Sequence, residues 1–203
     1  MTYDHTAVAL VERFQRLRDS PLGGQVREDV FHVIRLDRFE LGTPYREQVS
    51  RIGVWMQKAD LKQACIILDA TGVGKEVAKL FLQAHREGQL GDYWPRPYVI
   101  TGGREITAEV VPKRELIGTL LTLLDSERLK IADELSLGPV LQREFLTMRE
   151  KTTPSGQVAF ESAREKDHDD IVLAVALACW FRHTMTPPRL LEAVAEGTHA
   201  TTT

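Results

Sequence analysis

Apolar and polar positions alternate along the first part of the chain. Residues 6–13 and 29–39 carry apolar side chains at nearly every second position, which is the period of a β-strand with one covered face. Residues 21–24, which include a proline and two glycines, form a turn signal between them. This part of the chain is therefore predicted to contain antiparallel strands.

The pattern then changes to strands alternating with helices. Residues 64–68 form a continuous apolar run that ends at Asp69, as expected for a central strand covered on both faces. Further short strands are predicted at 98–101, 129–132 and 158–160. Apolar positions with helical spacing predict helices over 43–58, 75–86, from 112 onward, 139–149 and 169–182. This order predicts an α/β fold, a mixed β-sheet flanked by helices on both faces.

Composition indicates one domain in a reducing compartment. The chain has 203 residues, of which 43% are hydrophobic and 27% charged, enough for a single core. The longest apolar stretch, residues 171–181, is too short to cross a bilayer, and the N-terminus has no signal-peptide pattern. Both cysteines lie in apolar runs and are predicted to be buried thiols, so the expected location is cytoplasmic. Residues 184–203, rich in threonine and proline, are predicted to be a partly disordered tail.

A first group of chemically interesting residues follows the run at 64–68. Asp69 ends a buried strand, and Gly72 and Gly74 allow a backbone or a phosphate to approach closely. A phosphate-binding loop is excluded, because position 69 is not glycine and Glu76 stands where serine or threonine is required. An aspartate that only caps the next helix remains an equal alternative.

A second group begins the most apolar helix of the chain. Asp169 and Asp170 lie together at its predicted first turn, where the helix dipole favours negative charge. One carboxylate is enough for a cap, so the second favours a metal site, although capping by both stays open. Asp69 and Asp170 would supply the oxygen ligands that Mg²⁺ or Mn²⁺ prefers, provided that they converge in the fold.

Five short motifs, in one order along the chain, carry a family resemblance. They are Asp-Ala-Thr-Gly-Val-Gly (69–74), Ile-Thr-Gly-Gly (100–103), Pro-Lys-Arg-Glu-Leu-Ile (112–117), Arg-Leu-Lys-Ile-Ala (128–132) and His-Asp-Asp-Ile-Val-Leu-Ala (168–174). The array resembles the C-terminal nuclease domain of phage large terminase subunits, which has an RNase H-like fold. The resemblance implies that residues 1–183 form a nuclease domain in the bacterial host cell. It also implies an acidic cluster that binds two divalent ions and cuts double-stranded DNA during genome packaging.

The resemblance assigns the acids to positions of this sequence. Asp69 and Asp170 take the catalytic and metal-binding positions, and Asp169 is the adjacent option for the latter. Relatives begin their first strand with an aspartate ahead of the segment that Asp4 matches, and this acid is absent here. Asp4 is therefore a further metal-ligand candidate, and cleavage is expected to be impaired.

The partners implied are duplex DNA and the terminase ATPase domain, small terminase or portal; no membrane is expected. A catalytically inactive RNase H-like module that binds DNA or a packaging partner is the alternative function. A cellular nuclease or resolvase of the same fold fits the order of the motifs less well. A net charge of −3 argues against a nonspecific polycation and leaves room for basic residues around an acidic site.

Basic residues in or beside the motifs are candidates for contacts to DNA phosphates. Taken singly, each is better interpreted as an ordinary solvated surface charge. The four candidates are Lys113, Lys166, Arg114 and Arg104.

Overall fold

The structure is a computed structural model that describes residues 5–21, 23–58, 61, 64–152, 158–162 and 169–185. Asp4, Lys166 and the predicted tail from residue 186 onward lie outside the described residues.

A long antiparallel hairpin opens the chain. Strand β1 (Ala7–Asp19) pairs with β2 (Gln25–Arg38) along its whole length, with a register shift between Leu10 and Val11. Both strands extend beyond the predicted 6–13 and 29–39, because the outer half of the hairpin has no buried face for a hydrophobic pattern to reveal. Cross-strand ion pairs line it instead, such as Arg16 Nε to Glu28 Oε2 at 2.7 Å. Pairing with the partner strand therefore sets the length of this hairpin.

A parallel sheet of three strands follows. Strand β3 (Ile66–Asp69) pairs with β4 (Pro95–Thr101), and β4 pairs with β5 (Val110–Pro112). The sequence predicted β3 and β4 but not β5, whose three residues are too few to show a period. All three strands are parallel, so their carboxyl ends lie at one edge of the sheet.

Two further pairings complete the described strands. Strand β6 (Leu129–Ile131), predicted as a short edge segment, lies parallel to β2. Strands β7 (Met148–Thr152) and β8 (Val158–Ser162) form a separate antiparallel hairpin. The residues described thus form sheets of order β1-β2-β6 and β3-β4-β5 beside this hairpin.

Five helices pack around these sheets in the described part of the chain. They are α1 (Tyr45–Met56), α2 (Gly74–Arg86), α3 (Lys113–Asp125), α4 (Gly138–Thr147) and α5 (Asp170–Met185). Helix α1 begins after the predicted Thr43, whose hydroxyl donates to the carbonyl of Glu40 at 2.8 Å instead of capping the helix. No helix among the described residues is long and apolar enough to span a membrane.

The two faces of β3 belong to two different cores. Ile66 packs into a cluster with residues of α1 and α2, including Val49 and Phe81. Its neighbour Ile67 packs against a larger cluster built on α3 and α5, including Leu120 and Val175. Successive side chains of a strand point to opposite faces, so helices cover this strand on both sides. The prediction of a central strand flanked by helices is confirmed.

Helix α5 is the most buried element of the larger core. Its residues Val172, Val175 and Cys179 are fully buried, and Trp180 is 2% exposed. The first residue of α5 therefore has a position determined by a long, tightly packed helix.

The two cysteines differ in burial. Cys179 lies in the core, where burial raises its pKa to about 12, whereas Cys65 is half-buried just before β3. The prediction of a buried thiol is confirmed for Cys179 and wrong for Cys65. A thiol is reactive only as its thiolate, so iodoacetamide at neutral pH should modify Cys65 in the folded protein and Cys179 only after unfolding. Mass spectrometry of peptides with and without guanidinium would check this, and equal native rates at both positions would contradict it.

Candidate metal centre

Asp69 is the last residue of β3 and is exposed to solvent. Its carboxylate oxygen Oδ1 accepts a hydrogen bond from the backbone amide of Thr71 at 2.8 Å. This bond orients the side chain through one of its two oxygens. A rigid, accessible carboxylate thus stands at the carboxyl edge of the parallel sheet, the position where open α/β sheets bind ligands.

The turn that follows Asp69 is tied to the neighbouring strand. The amide of Ile100 donates to the Thr71 hydroxyl oxygen at 2.8 Å, and this hydroxyl lies 3.3 Å from the Ile100 carbonyl to which it donates. The amide of Ala70 donates to the carbonyl of Tyr98 at 2.7 Å. The position of Asp69 therefore depends on β4 as well as on its own strand.

Gly74 makes the tightest approach in this turn. A Cβ atom there would lie 2.3 Å from the carbonyl oxygen of Asp69, which is closer than a side chain tolerates. The sequence suggested that these glycines admit either a backbone or a phosphate. At Gly74 the close neighbour is the backbone of Asp69 itself.

The second group of acids lies at the start of α5, but its cap comes from elsewhere. The amides of Ile171 and Val172 both donate to Oε2 of Glu144, at 3.0 and 3.1 Å. Glu144 belongs to α4 and is only 6% exposed. The interpretation that an aspartate of the pair caps this helix is wrong for these two amides, because a buried carboxylate from another helix binds them.

Two cations lie among these acids. Lys113, the first residue of α3, forms an ion pair with Asp169. Arg38, the last residue of β2, donates to Oε1 of Glu144, and its Nη2 lies 3.7 Å from Oδ2 of Asp170. Each ion pair is mostly shielded from solvent, with side-chain exposures between 6% and 24%. Lys113, predicted as a DNA contact, is thus already engaged with an acid of the site.

Sequence reasoning did not identify Arg38 or Glu144. A signal for Glu144 existed, because it lies three residues after the buried Leu141 on the same face of α4. A charged residue on an apolar helix face is unusual and indicates a buried partner. The identity of that partner, 106 residues away in the sequence, has no local signal.

The remaining predicted DNA contacts are spread around the molecule. Arg104 is exposed in the loop after β4, at the same sheet edge as Asp69. Arg114 lies in the first turn of α3, with its Nε 3.4 Å from Glu115. The structure leaves Asp4 and Lys166 undescribed.

The donor chemistry suits Mg²⁺ or Mn²⁺ only in part. Carboxylate oxygens are the ligands these ions prefer, and Mg²⁺ commonly uses one or two of them together with water and substrate phosphates. Within the described ranges, however, no three histidine, cysteine, aspartate or glutamate side chains form a group that could hold a metal ion. The convergence of Asp69 and Asp170 on shared ions stays a prediction.

Comparisons with known proteins identify the fold. No protein-family model matches the chain, and no curated protein matches it. The structure is similar to crystal structures of the large terminase nuclease from the thermophilic phage G20c. With the cobalt-bound form it shares a TM-score of 0.53 and 21% identity, over 87% of this chain and 81% of that one. The magnesium-bound form gives the same TM-score and identity, over 88% and 82%.

A second phage supplies a further solved example. The large terminase nuclease domain of Thermus phage P74-26 has a TM-score of 0.51 and 20% identity, over 86% of this chain and 78% of that one. At this level of identity the likeness establishes the fold. The predicted RNase H-like α/β fold is confirmed, and the solved structures most like it are terminase nucleases.

Proposed function

We propose that residues 1–183 form a divalent-metal-dependent endonuclease module of a phage or prophage DNA-packaging terminase, acting on double-stranded DNA in the bacterial host cell. The observation that carries this proposal is the position of Asp69 at the carboxyl edge of the parallel sheet. It stands on a fold whose solved examples are phage terminase nucleases with cobalt or magnesium bound.

In this proposal Asp69 and Asp170 are the metal ligands and catalytic acids, with Asp169 and Asp4 as additional ligands. Bound Mg²⁺ or Mn²⁺ supplies the Lewis acidity that activates water and stabilises the leaving oxygen of a phosphodiester. The chain's own task is positioning. The Thr71 amide orients the carboxylate of Asp69, and the packed helix α5 holds Asp170.

Basic side chains neutralise phosphates along the bound DNA. Arg104 lies at the same sheet edge as Asp69, and Arg114 and Lys166 belong to or lie beside the site's motifs. Lys113 is shared between two tasks, because it contacts a phosphate only by loosening its ion pair with Asp169. Binding through such contacts weakens steeply as salt concentration rises.

One observation favours a second candidate function. In the described part of the chain the acids form no three-residue cluster, and Asp169 and Asp170 each have a cationic neighbour. A catalytically inactive module would keep this arrangement and bind DNA or a packaging partner, such as the terminase ATPase domain, small terminase or portal.

The test combines metal binding with plasmid nicking. Mn²⁺ is titrated calorimetrically into the protein, and supercoiled plasmid is incubated with Mg²⁺ or Mn²⁺ and with EDTA. We expect metal-dependent nicking that falls at least about a hundredfold in Asp69→Asn and Asp170→Asn, because even groups that only support a metal ligand contribute up to this much. Asp133→Asn, at an exposed aspartate away from these acids in the sequence, is the matched control.

Nicking that is unchanged in both site variants would eliminate the nuclease proposal. Salt-sensitive DNA binding with no nicking at any metal concentration would establish the second function instead.

A further inference from the structure

We propose that Glu144 is a positioning residue for Asp170, because it holds the guanidinium of Arg38 and thereby leaves the charge of Asp170 for a divalent ion. This inference rests on the proposed function, in which Asp170 is a metal ligand. It assigns a task to a buried carboxylate and a buried guanidinium that the sequence analysis did not find.

Glu144 is held rigidly. Its residue is 6% exposed, and its Oε2 accepts the amides of Ile171 and Val172. Those amides belong to the first turn of α5, where the helix dipole adds attraction for a negative charge. A carboxylate with two amide donors and a favourable dipole stays ionised and does not move easily.

Arg38 lies between two acids but contacts them unequally. Its Nη2 donates directly to Oε1 of Glu144, while Oδ2 of Asp170 is 3.7 Å away. The hydrogen bond therefore goes to Glu144, and Asp170 is a weaker second neighbour. Coulombic attraction between a guanidinium and a carboxylate is strong in a partly buried site. Without Glu144, Arg38 would be drawn to Asp170.

The charges at this end of α5 leave a remainder. Lys113 pairs with Asp169, and Arg38 pairs with Glu144, so the charge of Asp170 is left without a full counter-charge. A divalent ion is a suitable partner for it. If Arg38 shifted fully onto Asp170, the same carboxylate would be neutralised and its affinity for the ion would fall.

A purely structural cap is the competing explanation. A cap affects the stability of α5, and its loss would not be repaired by removing Arg38. Control of the guanidinium predicts the opposite, because removing Arg38 also removes the competitor. The two explanations therefore differ in a double-mutant cycle between Glu144 and Arg38.

The experiment uses the full 203-residue chain, with Mn²⁺ alone as the probe. Its dissociation constant is measured calorimetrically, and thermal unfolding is followed by circular dichroism. We expect Glu144→Gln, which keeps a carbonyl oxygen for the two amides, to bind Mn²⁺ about ten- to a hundredfold more weakly. Arg38→Gln should bind it more tightly than the original chain, and the double variant should return to within a few-fold of it.

The outcomes separate the two proposals. Equal Mn²⁺ affinity in the original chain and Glu144→Gln, while Asp170→Asn binds more weakly, would overturn this inference and leave the nuclease proposal standing. A double variant as weak as Glu144→Gln would also overturn it in favour of the cap. Mn²⁺ binding that does not depend on Asp170 would reject the nuclease proposal and this inference together.

A variant that fails to fold does not block the test. If Glu144→Gln unfolds, Arg38→Gln supplies the same information, because removing the guanidinium is expected to tighten Mn²⁺ binding about tenfold. Unchanged affinity in a folded Arg38→Gln protein would overturn the inference.

Discussion

Replacing Gly74 with alanine is expected to reduce metal-dependent DNA cleavage about a hundredfold while the protein stays folded. The added Cβ would lie 2.3 Å from the carbonyl oxygen of Asp69 and 3.1 Å from its carbonyl carbon, so the backbone at Asp69 must shift. A misplacement of roughly 1 Å at a reacting group costs about that much in rate. The measurement is the single-turnover rate of plasmid nicking, together with the Mn²⁺ dissociation constant.

The neighbouring loop offers a matched control. Gly102 follows β4, and a Cβ atom there meets nothing within 4 Å. Gly102→Ala should therefore cleave DNA at nearly the original rate. Gly72 is unsuitable for this purpose, because its φ of 53° would strain any side chain. Equal activity of Gly74→Ala and Gly102→Ala would show that the close approach at Gly74 does not position the catalytic acid.

Replacing Trp180 with alanine is expected to lower the free energy of unfolding by about 3–5 kcal/mol. The side chain is 2% exposed, and its ring meets that of Tyr98 edge to face at 5.2 Å and 83°. Removing it leaves a large cavity and ends a favourable aromatic contact. Because single domains are stable by only about 5–15 kcal/mol, the loss is a large share of the total. Urea unfolding followed by circular dichroism at 222 nm measures it.

Trp94 is the control for this substitution. Its side chain is 56% exposed, with one edge-to-face neighbour, His85, at 4.8 Å. Trp94→Ala should cost less than about 1 kcal/mol, since little area is buried and no core cavity forms. Similar losses in both variants would contradict the central role of α5. The prediction also concerns the site, because Trp180 anchors the helix that begins at Asp170.

Local pattern alone was enough for the central strand and its acid. The apolar run before Asp69 predicted β3, its burial on both faces and the position of the carboxylate at its end, all of which the structure contains. The apolar composition of residues 171–181 likewise predicted the buried helix α5. These features depend on which side chains must leave water, and neighbouring residues in the sequence record this directly.

Short or solvent-exposed elements were predicted less well. Strand β5 has three residues, and the outer half of the hairpin lacks a buried face, so neither has a readable period. Strand β7 was not predicted either. Their existence depends on hydrogen bonds to a partner strand, and a partner is not a property of the segment itself.

The electrostatics of the candidate site depend on the folded chain. Adjacent acids at 169 and 170 were visible in the sequence, and their place at the start of a helix was inferred from it. The cap from Glu144, the guanidinium of Arg38 and the ion pair of Lys113 with Asp169 join elements 27 to 106 residues apart. Hydrophobic periodicity specifies which face of each element is buried. The identity of the charges that meet there follows only from packing those faces together, because electrostatic contacts depend on distance in space and not along the chain.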